Sequence, residues 1–229
     1  MNSKVIVALD FNNIEEVRKF VSAINPKECR LKVGKELFTA YGPAIVIELQ
    51  KLGFEIFLDL KFHDIPNTVY KAIKVAASLG IWMVNVHASG GREMLLAARR
   101  AVDESAHKPL LIAVTVLTSL SNEAVKEVGY SLDAVSQALH LAELSYKCGI
   151  DGVVCAAQEA NLIKQKTAAN FLTVTPGIRL VSNKVDDQTR IMTPIAAINN
   201  GADYLVIGRP ITQSGNSLQT LNEINQSIG

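Results

Sequence analysis

The sequence predicts an α/β fold, a single-domain (β/α)8 TIM barrel that spans residues 1–229. Eight short apolar segments rich in β-branched residues alternate with amphipathic segments, which indicates parallel strands joined by helices. Apolar residues are nearly continuous within each segment, as is typical of strands covered by helices on one face and packed in a barrel interior on the other. A chain of 229 residues also has the usual length of this fold.

The predicted strands begin with the segment VIVALD and end with YLVIGR. In chain order they cover residues 5–10, 30–34, 55–61, 83–88, 111–118, 152–157, 171–176 and 204–209. The clearest helices are predicted over 14–24, 43–53, 68–80 and 132–149. Three of these end at glycine, which readily takes the positive φ that terminates a helix. A doubly wound open sheet is the alternative, but FNN follows the first strand instead of the GxGxxG turn that binds dinucleotides.

Composition argues against several classes of partner. The 23 Lys and Arg residues balance 22 Asp and Glu residues, so the net charge of +1 gives no electrostatic reason to expect nucleic acid or a membrane surface. Cys29, Cys148 and Cys155 form no CxxC pair and are interpreted as core residues in a reducing compartment. The first apolar run is too short for a signal peptide. We therefore expect a cytoplasmic protein.

Polar residues collect at the predicted strand ends, where (β/α)8 barrels carry their functional groups. In chain order these are Asp10, Lys32, Asp59 with Lys61, His87, Thr118, Gln158, the PGIR segment (176–179) and the GRP segment (208–210). A single polar residue at such a position is commonly a solvated loop residue. Their accumulation at one end of the barrel indicates a functional site.

The segment DLKFHDIPNT follows directly after the apolar run EIFL. Asp59 and Lys61 are two residues apart, so on a regular strand both side chains point to one face, here the barrel interior. Asp64 lies just beyond the strand. His63 is interpreted as structural, because a lone histidine is weak evidence for a metal site. A salt-bridge network at the barrel mouth is the alternative, but buried ion pairs stabilise proteins poorly.

A phosphate site is predicted in the loops after the seventh and eighth strands, the usual anion site of these barrels. Arg179 and Arg209 fall in these two loops, and a guanidinium group offers phosphate a planar pair of donors. Gly208 lets the backbone N–H approach an oxygen closely. One isolated arginine is commonly a solvated surface charge, but the pair favours phosphate binding.

Six motifs together point to one family. Asp59, Lys61 and Asp64 form a DxKxxD pattern within DLKFHDIPNTV. The other motifs, in chain order, are VALDF, LKVGKELF, VTVLTS, TPGIR with DDQTRIMTP, and YLVIGRPIT. In these motifs the chain resembles the orotidine 5'-phosphate decarboxylase family along nearly its whole length. The resemblance implies conversion of orotidine 5'-phosphate to UMP and CO2, the last step of de novo pyrimidine nucleotide biosynthesis, without a cofactor or metal.

The resemblance also implies roles for the charged residues. Lys61, as an ammonium, stabilises the electron pair left at C6 of the pyrimidine and then protonates that carbon. Asp59 lies near the departing carboxylate, where it either drives CO2 out by repulsion or holds Lys61 in place. Lys32 completes an alternating Lys–Asp–Lys–Asp array. Asp64 and Thr68 enter the site of the partner subunit, so that a homodimer is the expected working unit.

Further substrate contacts follow from the same resemblance. Asp10 and Lys32 are implied to contact ribose hydroxyl groups, and Gln188 is implied to reach over the ligand to its phosphate. Thr118 is implied to contact the pyrimidine edge. An ordinary β-branched strand residue remains the alternative interpretation of Thr118.

Three other functions compete with this one. A metal-dependent sugar-phosphate decarboxylase or aldolase of the same superfamily shares DxKxxD but carries an acidic metal ligand on the second strand. Lys32 occupies that position here, and its ammonium would repel Mg2+. A non-catalytic phosphate-binding barrel would not need a buried lysine between two acids. An aldolase or isomerase inferred from the fold alone rests on analogy.

Overall fold

The computed structural model describes residues 3–180 and 191–229, which contain a closed barrel of eight parallel strands. The strands are β1 Val5–Ala8, β2 Arg30–Gly34, β3 Ile56–Phe62, β4 Met83–His87, β5 Leu110–Val114, β6 Gly152–Val154, β7 Leu172–Thr175 and β8 Tyr204–Ile207. Each strand pairs with the next, and β8 pairs with β1 to close the sheet. The predicted (β/α)8 barrel is confirmed.

Helices connect the strands in the described part of the chain. They are α1 Ile14–Ser22, α2 Lys35–Tyr41, α3 Pro43–Lys51, α4 Pro66–Ser78, α5 Gly91–Asp103, α6 Asn122–Glu127, α7 Ala134–Lys147, α8 Ala160–Lys166, α9 Pro194–Asn199, α10 Arg209–Thr212 and α11 Ser217–Ile228. The helix predicted from residue 132 begins at Ala134, because the Asp133 side chain accepts a hydrogen bond from the Ser136 N–H at 2.8 Å and caps it. Within the described residues, no helix is long and apolar enough to cross a membrane.

Several strands are shorter than predicted. The fifth was expected over 111–118 but spans Leu110–Val114, and the sixth was expected over 152–157 but spans Gly152–Val154. Apolar sequence continues beyond the paired residues because it covers the barrel mouth; Val116, for example, is buried without belonging to a strand. We call the loops after the C-terminal ends of the eight strands the C-terminal rim.

Two apolar clusters lie on opposite faces of the sheet. The barrel interior holds Ile6, Phe57, Met83, Ile112 and Val174. The larger cluster fills the space between sheet and helices and includes Leu58 of β3, with Leu60 packed against it. Since Phe57 faces the interior, Asp59 two residues later continues on that face.

An arginine fills the N-terminal end of the barrel. The Arg30 guanidinium carbon lies 4.1 Å from the ring centroid of Trp82 and 5.3 Å from that of Tyr204. Its Nη1 donates to the Ser3 carbonyl at 2.5 Å. This end is packed with side chains, and the charged residues of interest gather at the C-terminal rim.

Strand β3 is irregular near its C-terminal end. Leu58 pairs with Val84, whereas Phe62 pairs with Val86, so the register against β4 shifts between these two pairs. Lys61 has a φ of 53° and is the single non-glycine residue with positive φ in the described residues. The regular strand that the sequence predicts from Asp59 to Lys61 is therefore wrong. The two side chains meet through a distorted backbone.

Candidate active site

A cavity of about 270 Å³ opens at the C-terminal rim. Of the predicted site residues, it is lined by Asp10, Lys32, Asp59, Lys61, Thr118, Arg179, Gly208 and Arg209. The strand ends supply the acidic and lysine side chains, and the loops after β7 and β8 supply the arginines. The barrel therefore brings residues from distant parts of the chain into one cavity.

Four charged side chains form a row along one side of the cavity. Lys32 Nζ lies 3.3 Å from Asp10 Oδ1 and 3.2 Å from Asp59 Oδ2, while Lys61 Nζ lies 2.6 Å from Asp59 Oδ1. We call Asp10, Lys32, Asp59 and Lys61 the charged row. Its charges alternate in sign. The side chain of Asp10 is 62% exposed, whereas that of Asp59 is 9% and that of Lys61 is 25% exposed.

The buried members of the charged row hold each other in the ionised state. Burial alone would raise the pKa of Asp59, but the positive charges of Lys32 and Lys61, with hydrogen bonds from Lys61 and Asn85, hold that pKa below its ordinary value. Burial alone would lower the pKa of Lys32, but Asp59 and Asp10 outweigh it and raise that pKa. The cavity thus carries fixed charges at neutral pH.

Sequence reasoning missed Asn85, which touches two members of DxKxxD. Asn85 lies on β4 and is fully buried. Its Nδ2 donates to Asp59 Oδ1 at 2.6 Å, and its Oδ1 accepts from the Lys61 backbone N–H at 2.8 Å. The available signal was one amide side chain inside the otherwise apolar run MVNV.

Gly34, at the end of β2, was also missed. A Cβ at this position would lie 3.2 Å from Lys32 Nζ and 3.8 Å from Asp10 Oδ1. A side chain here would press on the ammonium group that joins the two acids. The absence of a side chain at Gly34 therefore leaves room for the contact between Lys32 and Asp10.

The two arginines occupy another part of the cavity. Arg209 is the first residue of α10 and follows Gly208 directly. Arg179 lies in the loop after β7, where its backbone N–H donates to the Met192 carbonyl at 3.0 Å. A Cβ at Gly208 would make ordinary van der Waals contacts, 3.5 Å from both Ala8 Cβ and Asp10 Oδ2, so packing alone does not require glycine at this position. The cavity thus combines a charged row with a cationic region.

Comparison with known proteins identifies the family. The family model described as "Orotidine 5'-phosphate decarboxylase / HUMPS family" matches residues 3–224. The chain belongs to this family.

Individual relatives in the family resemble the chain over nearly its full length. An orotidine 5'-phosphate decarboxylase of Tolumonas auensis is 57% identical over 227 residues, covering 98% of each chain. One of Hahella chejuensis is 55% identical and covers 98% of this chain and 97% of its own. A crystal structure of orotidine 5'-phosphate decarboxylase from Lactobacillus acidophilus superposes with a TM-score of 0.88 at 37% identity, covering 99% of both chains.

Two predicted site residues of this family member lie outside the cavity of a single chain. Asp64 and Thr68 are exposed and do not contribute to its lining. Asp64 Oδ1 accepts a hydrogen bond from the Ile65 N–H at 2.7 Å. The neighbouring Ile65 is 67% exposed, which is unusual for an isoleucine. Within one chain the charged row therefore begins with Asp10 and does not include Asp64.

The remaining polar residues at the strand ends fall into other environments. Gln158 is exposed, and its Nε2 donates to the Ile191 carbonyl at 3.1 Å. Thr118 is buried in the cavity wall. Gln188 lies outside the described residues.

Two histidines near the charged row, His63 and His87, lie against each other with their rings tilted by 36°. The ring centroids of His63 and His87 are 5.3 Å apart. Burial, together with the nearby charges of His63, Lys35 and Lys61, lowers the pKa of His87 to about 4, although Asp59 acts in the opposite direction. The His87 ring is therefore neutral at pH 7. In the described residues, no three His, Cys, Asp or Glu side chains converge as metal ligands would.

The charged row generates a prediction about stability. Replacing Asp59 with Ala leaves the ammonium groups of Lys32 and Lys61 without the carboxylate between them, and we expect the free energy of unfolding to fall by about 3–5 kcal/mol at pH 7. The pKa of Asp59 is lower in the folded protein than in the unfolded protein. The stability that Asp59 contributes is therefore present above its unfolded pKa of about 3.9 and is lost as the pH falls through its folded pKa.

Urea unfolding of the wild-type protein and Asp59→Ala from pH 7 down to about pH 2 measures this effect, and the difference between their stabilities should begin to shrink below the unfolded pKa of about 3.9. Asp10→Ala is the matched control; because that side chain is 62% exposed, its loss should cost less than about 1 kcal/mol. Equal losses in both variants, or an Asp59→Ala loss that does not change with pH, would contradict the account.

Proposed function

We propose that this chain, as a single catalytic barrel domain, converts orotidine 5'-phosphate to UMP and CO2 without a cofactor or metal. The observation that carries the proposal is the Lys61 ammonium, held 2.6 Å from the buried Asp59 in a cavity that Arg179 and Arg209 also line. Membership of the family and the names of its closely similar relatives support the same reaction.

The chemistry of the reaction calls for such a cation. Breaking the bond between C6 and the carboxyl carbon releases CO2 and leaves an electron pair at C6. That pair lies in the plane of the pyrimidine, where the ring π system does not delocalise it. A fixed ammonium beside C6 stabilises the negative charge without reorganisation, and it then transfers its proton to the carbon. We assign both roles to Lys61.

Asp59 acts in this proposal by positioning Lys61. Its Oδ1 accepts from Lys61 and Asn85, and its Oδ2 lies 3.2 Å from Lys32 Nζ. A carboxylate with donors on both oxygens has much of its charge compensated. This favours positioning over repulsion of the substrate carboxylate, the other role that the sequence left open.

We assign the remaining contacts from their places in the cavity. Arg179, Arg209 and the Gly208 backbone N–H bind the 5'-phosphate, because two guanidinium groups and a close backbone donor suit a dianion.

The ribose hydroxyl groups are assigned to Asp10 and Lys32, the two members of the charged row that lie on or just after β1 and β2. The assignments of Thr118 to the pyrimidine edge and Gln188 to the phosphate rest on the resemblance.

The metal-dependent alternative fits the geometry less well. Lys32 occupies the position of the acidic ligand on β2, and its Nζ lies 3.2 Å from Asp59 Oδ2. A divalent cation on Asp59 would therefore meet an ammonium group at close range. Burying the Asp59 carboxylate costs free energy. A non-catalytic phosphate-binding protein would have no use for this carboxylate.

We further propose that the working unit is a homodimer in the cytoplasm. Asp64 and Thr68 are exposed and lie outside the cavity of their own chain. This exposure supports the role that the resemblance implies for them, entry into the site of a partner subunit. The three buried cysteines, all free thiols, suit a reducing compartment.

The proposed reaction is tested by incubating the purified chain with orotidine 5'-phosphate in excess EDTA and following the loss of substrate absorbance. We expect the same turnover with and without EDTA, because Lys61 supplies the charge that a metal would otherwise provide. Absence of turnover would contradict the function. Loss of activity on chelation, with recovery on adding Mg2+, would contradict the metal-free mechanism.

The phosphate assignment predicts the behaviour of Arg209→Ala. Binding energy from the phosphate is used at the reacting carbon, so we expect kcat/KM for orotidine 5'-phosphate to fall by at least about 100-fold. Guanidinium ion in solution should restore part of this loss. Orotidine, which has no phosphate, is the control substrate and should react equally slowly with both proteins. A near-normal kcat/KM for the nucleotide would show that Arg209 binds something else.

The dimer assignment predicts complementation between inactive variants. When Lys61→Ala and Asp64→Ala proteins exchange subunits, one site of each mixed dimer carries both defects and the other carries neither. Random exchange should therefore restore up to about one quarter of wild-type activity. Mixing Lys61→Ala with Asp59→Ala is the matched control, because both residues serve the site of their own chain. Failure of the first mixture to recover would place Asp64 outside the partner's site.

A further inference from the structure

Asn85 closes a ring of hydrogen bonds with the two central members of the site. Lys61 Nζ donates to Asp59 Oδ1 at 2.6 Å, and Asn85 Nδ2 donates to the same oxygen, also at 2.6 Å. The Lys61 backbone N–H donates to Asn85 Oδ1 at 2.8 Å and completes the ring. Asn85 itself is fully buried on β4 and does not line the cavity. It therefore acts on the site only through Asp59 and Lys61.

The partners fix the orientation of the Asn85 amide. A backbone N–H can only donate, so the oxygen of the amide must face Lys61. The NH2 group then faces the carboxylate of Asp59. In its ionised state this carboxylate has no proton to donate and can only accept hydrogen bonds. At neutral pH, asparagine is the natural side chain of this size that offers an acceptor and a donor on one planar group without carrying a charge. The ring thus specifies asparagine at this position.

The backbone that Asn85 contacts is strained. A non-glycine residue with positive φ costs on the order of 1–3 kcal/mol and persists only where its surroundings hold it. Lys61, with a φ of 53°, adopts this conformation where β3 shifts register against β4. The shift carries the Lys61 N–H out of regular strand pairing, and the Asn85 oxygen accepts from it instead. Without this acceptor the N–H would lose its partner or the backbone would rearrange.

We propose that Asn85 is a positioning residue that locks the strained Lys61 backbone and the Asp59 carboxylate into the geometry needed for catalysis. The inference rests on the proposed decarboxylation. It explains why a fully buried amide interrupts the apolar strand MVNV. Its consequence is that loss of Asn85 should affect the chemical step and leave the phosphate and ribose contacts intact.

Two substitutions separate the halves of the ring. Asn85→Leu keeps the side-chain size but removes both hydrogen bonds. Asn85→Asp keeps an acceptor for the Lys61 N–H and replaces the donor with a carboxylate facing Asp59. We expect kcat to fall about 100-fold in Asn85→Leu, the cost of a misplacement of about 1 Å, while the Kd for UMP changes less than about threefold.

The pH dependence of kcat gives a second readout. Loss of the Asn85 donor raises the pKa of Asp59, so the acid limb should move to higher pH in both variants. The shift should be larger in Asn85→Asp, where two carboxylates share the site. The charged groups that face Asp59, Lys32 from β2 and Lys61 on β3, remain in both variants, as does His87 on β4.

Thr173→Val is the matched control for a buried polar group in the barrel. Thr173 is fully buried at the start of β7, and its Oγ1 donates to the Gly201 carbonyl at 2.9 Å, away from the cavity. This variant should lose thermal stability but keep the wild-type kcat and pH profile. All assays are run well below the unfolding temperature of each variant.

A crystal structure of Asn85→Leu decides the inference independently of activity. We expect Lys61 to leave the positive-φ region or its Nζ to move away from Asp59. Unchanged Lys61 geometry, or a kcat equal to that of the wild type, would overturn the proposal. An inactive wild-type protein would contradict the decarboxylase function itself, and the Lys61 conformation in the variant would still test the positioning role.

Discussion

The carboxylate of Asp59 is buried between the ammonium groups of Lys32 and Lys61, and the rest of the site is arranged around these two contacts. Burying a carboxylate is costly, and its attraction to paired cations offsets that cost only when the hydrogen-bond geometry is good. Here both oxygens have donors, including the amide of Asn85. The fixed charge of Lys61 depends on this compensation, and so does the proposed stabilisation of negative charge on the substrate.

The barrel supplies this arrangement by bringing four neighbouring strands together at one rim. Asp10 follows β1, Lys32 lies on β2, Asp59 and Lys61 lie on β3, and Asn85 lies on β4. Parallel pairing of these strands places their C-terminal ends side by side, so a row of alternating charges forms across the sheet. The loops after β7 and β8 add the arginines, which separates the reacting region from the region assigned to the phosphate.

Hydrophobic pattern was sufficient to predict the barrel and its eight strands, because parallel strands buried on both faces leave a clear apolar signal. It also predicted that Asp59 and Lys61 meet. The backbone at Lys61 was not predictable, since positive φ at a lysine has no local sequence signal and depends on pairing with β4. Asn85 was visible as an amide in an apolar strand, but its partners follow from register. Asp64 could not be placed from one chain, because its proposed site belongs to another subunit.

Single-turnover decarboxylation by Lys61→Ala and Lys61→Arg tests the central claim most directly. If Lys61 both stabilises the carbanion and supplies the proton, each variant should lose at least about 10⁴-fold in rate. UMP binding, measured by calorimetry, should persist because Arg179 and Arg209 remain. Arginine keeps the charge but is larger and a poor proton donor, so it should not rescue the reaction. Near-normal turnover by Lys61→Arg would show that the proton comes from another group and would contradict the account.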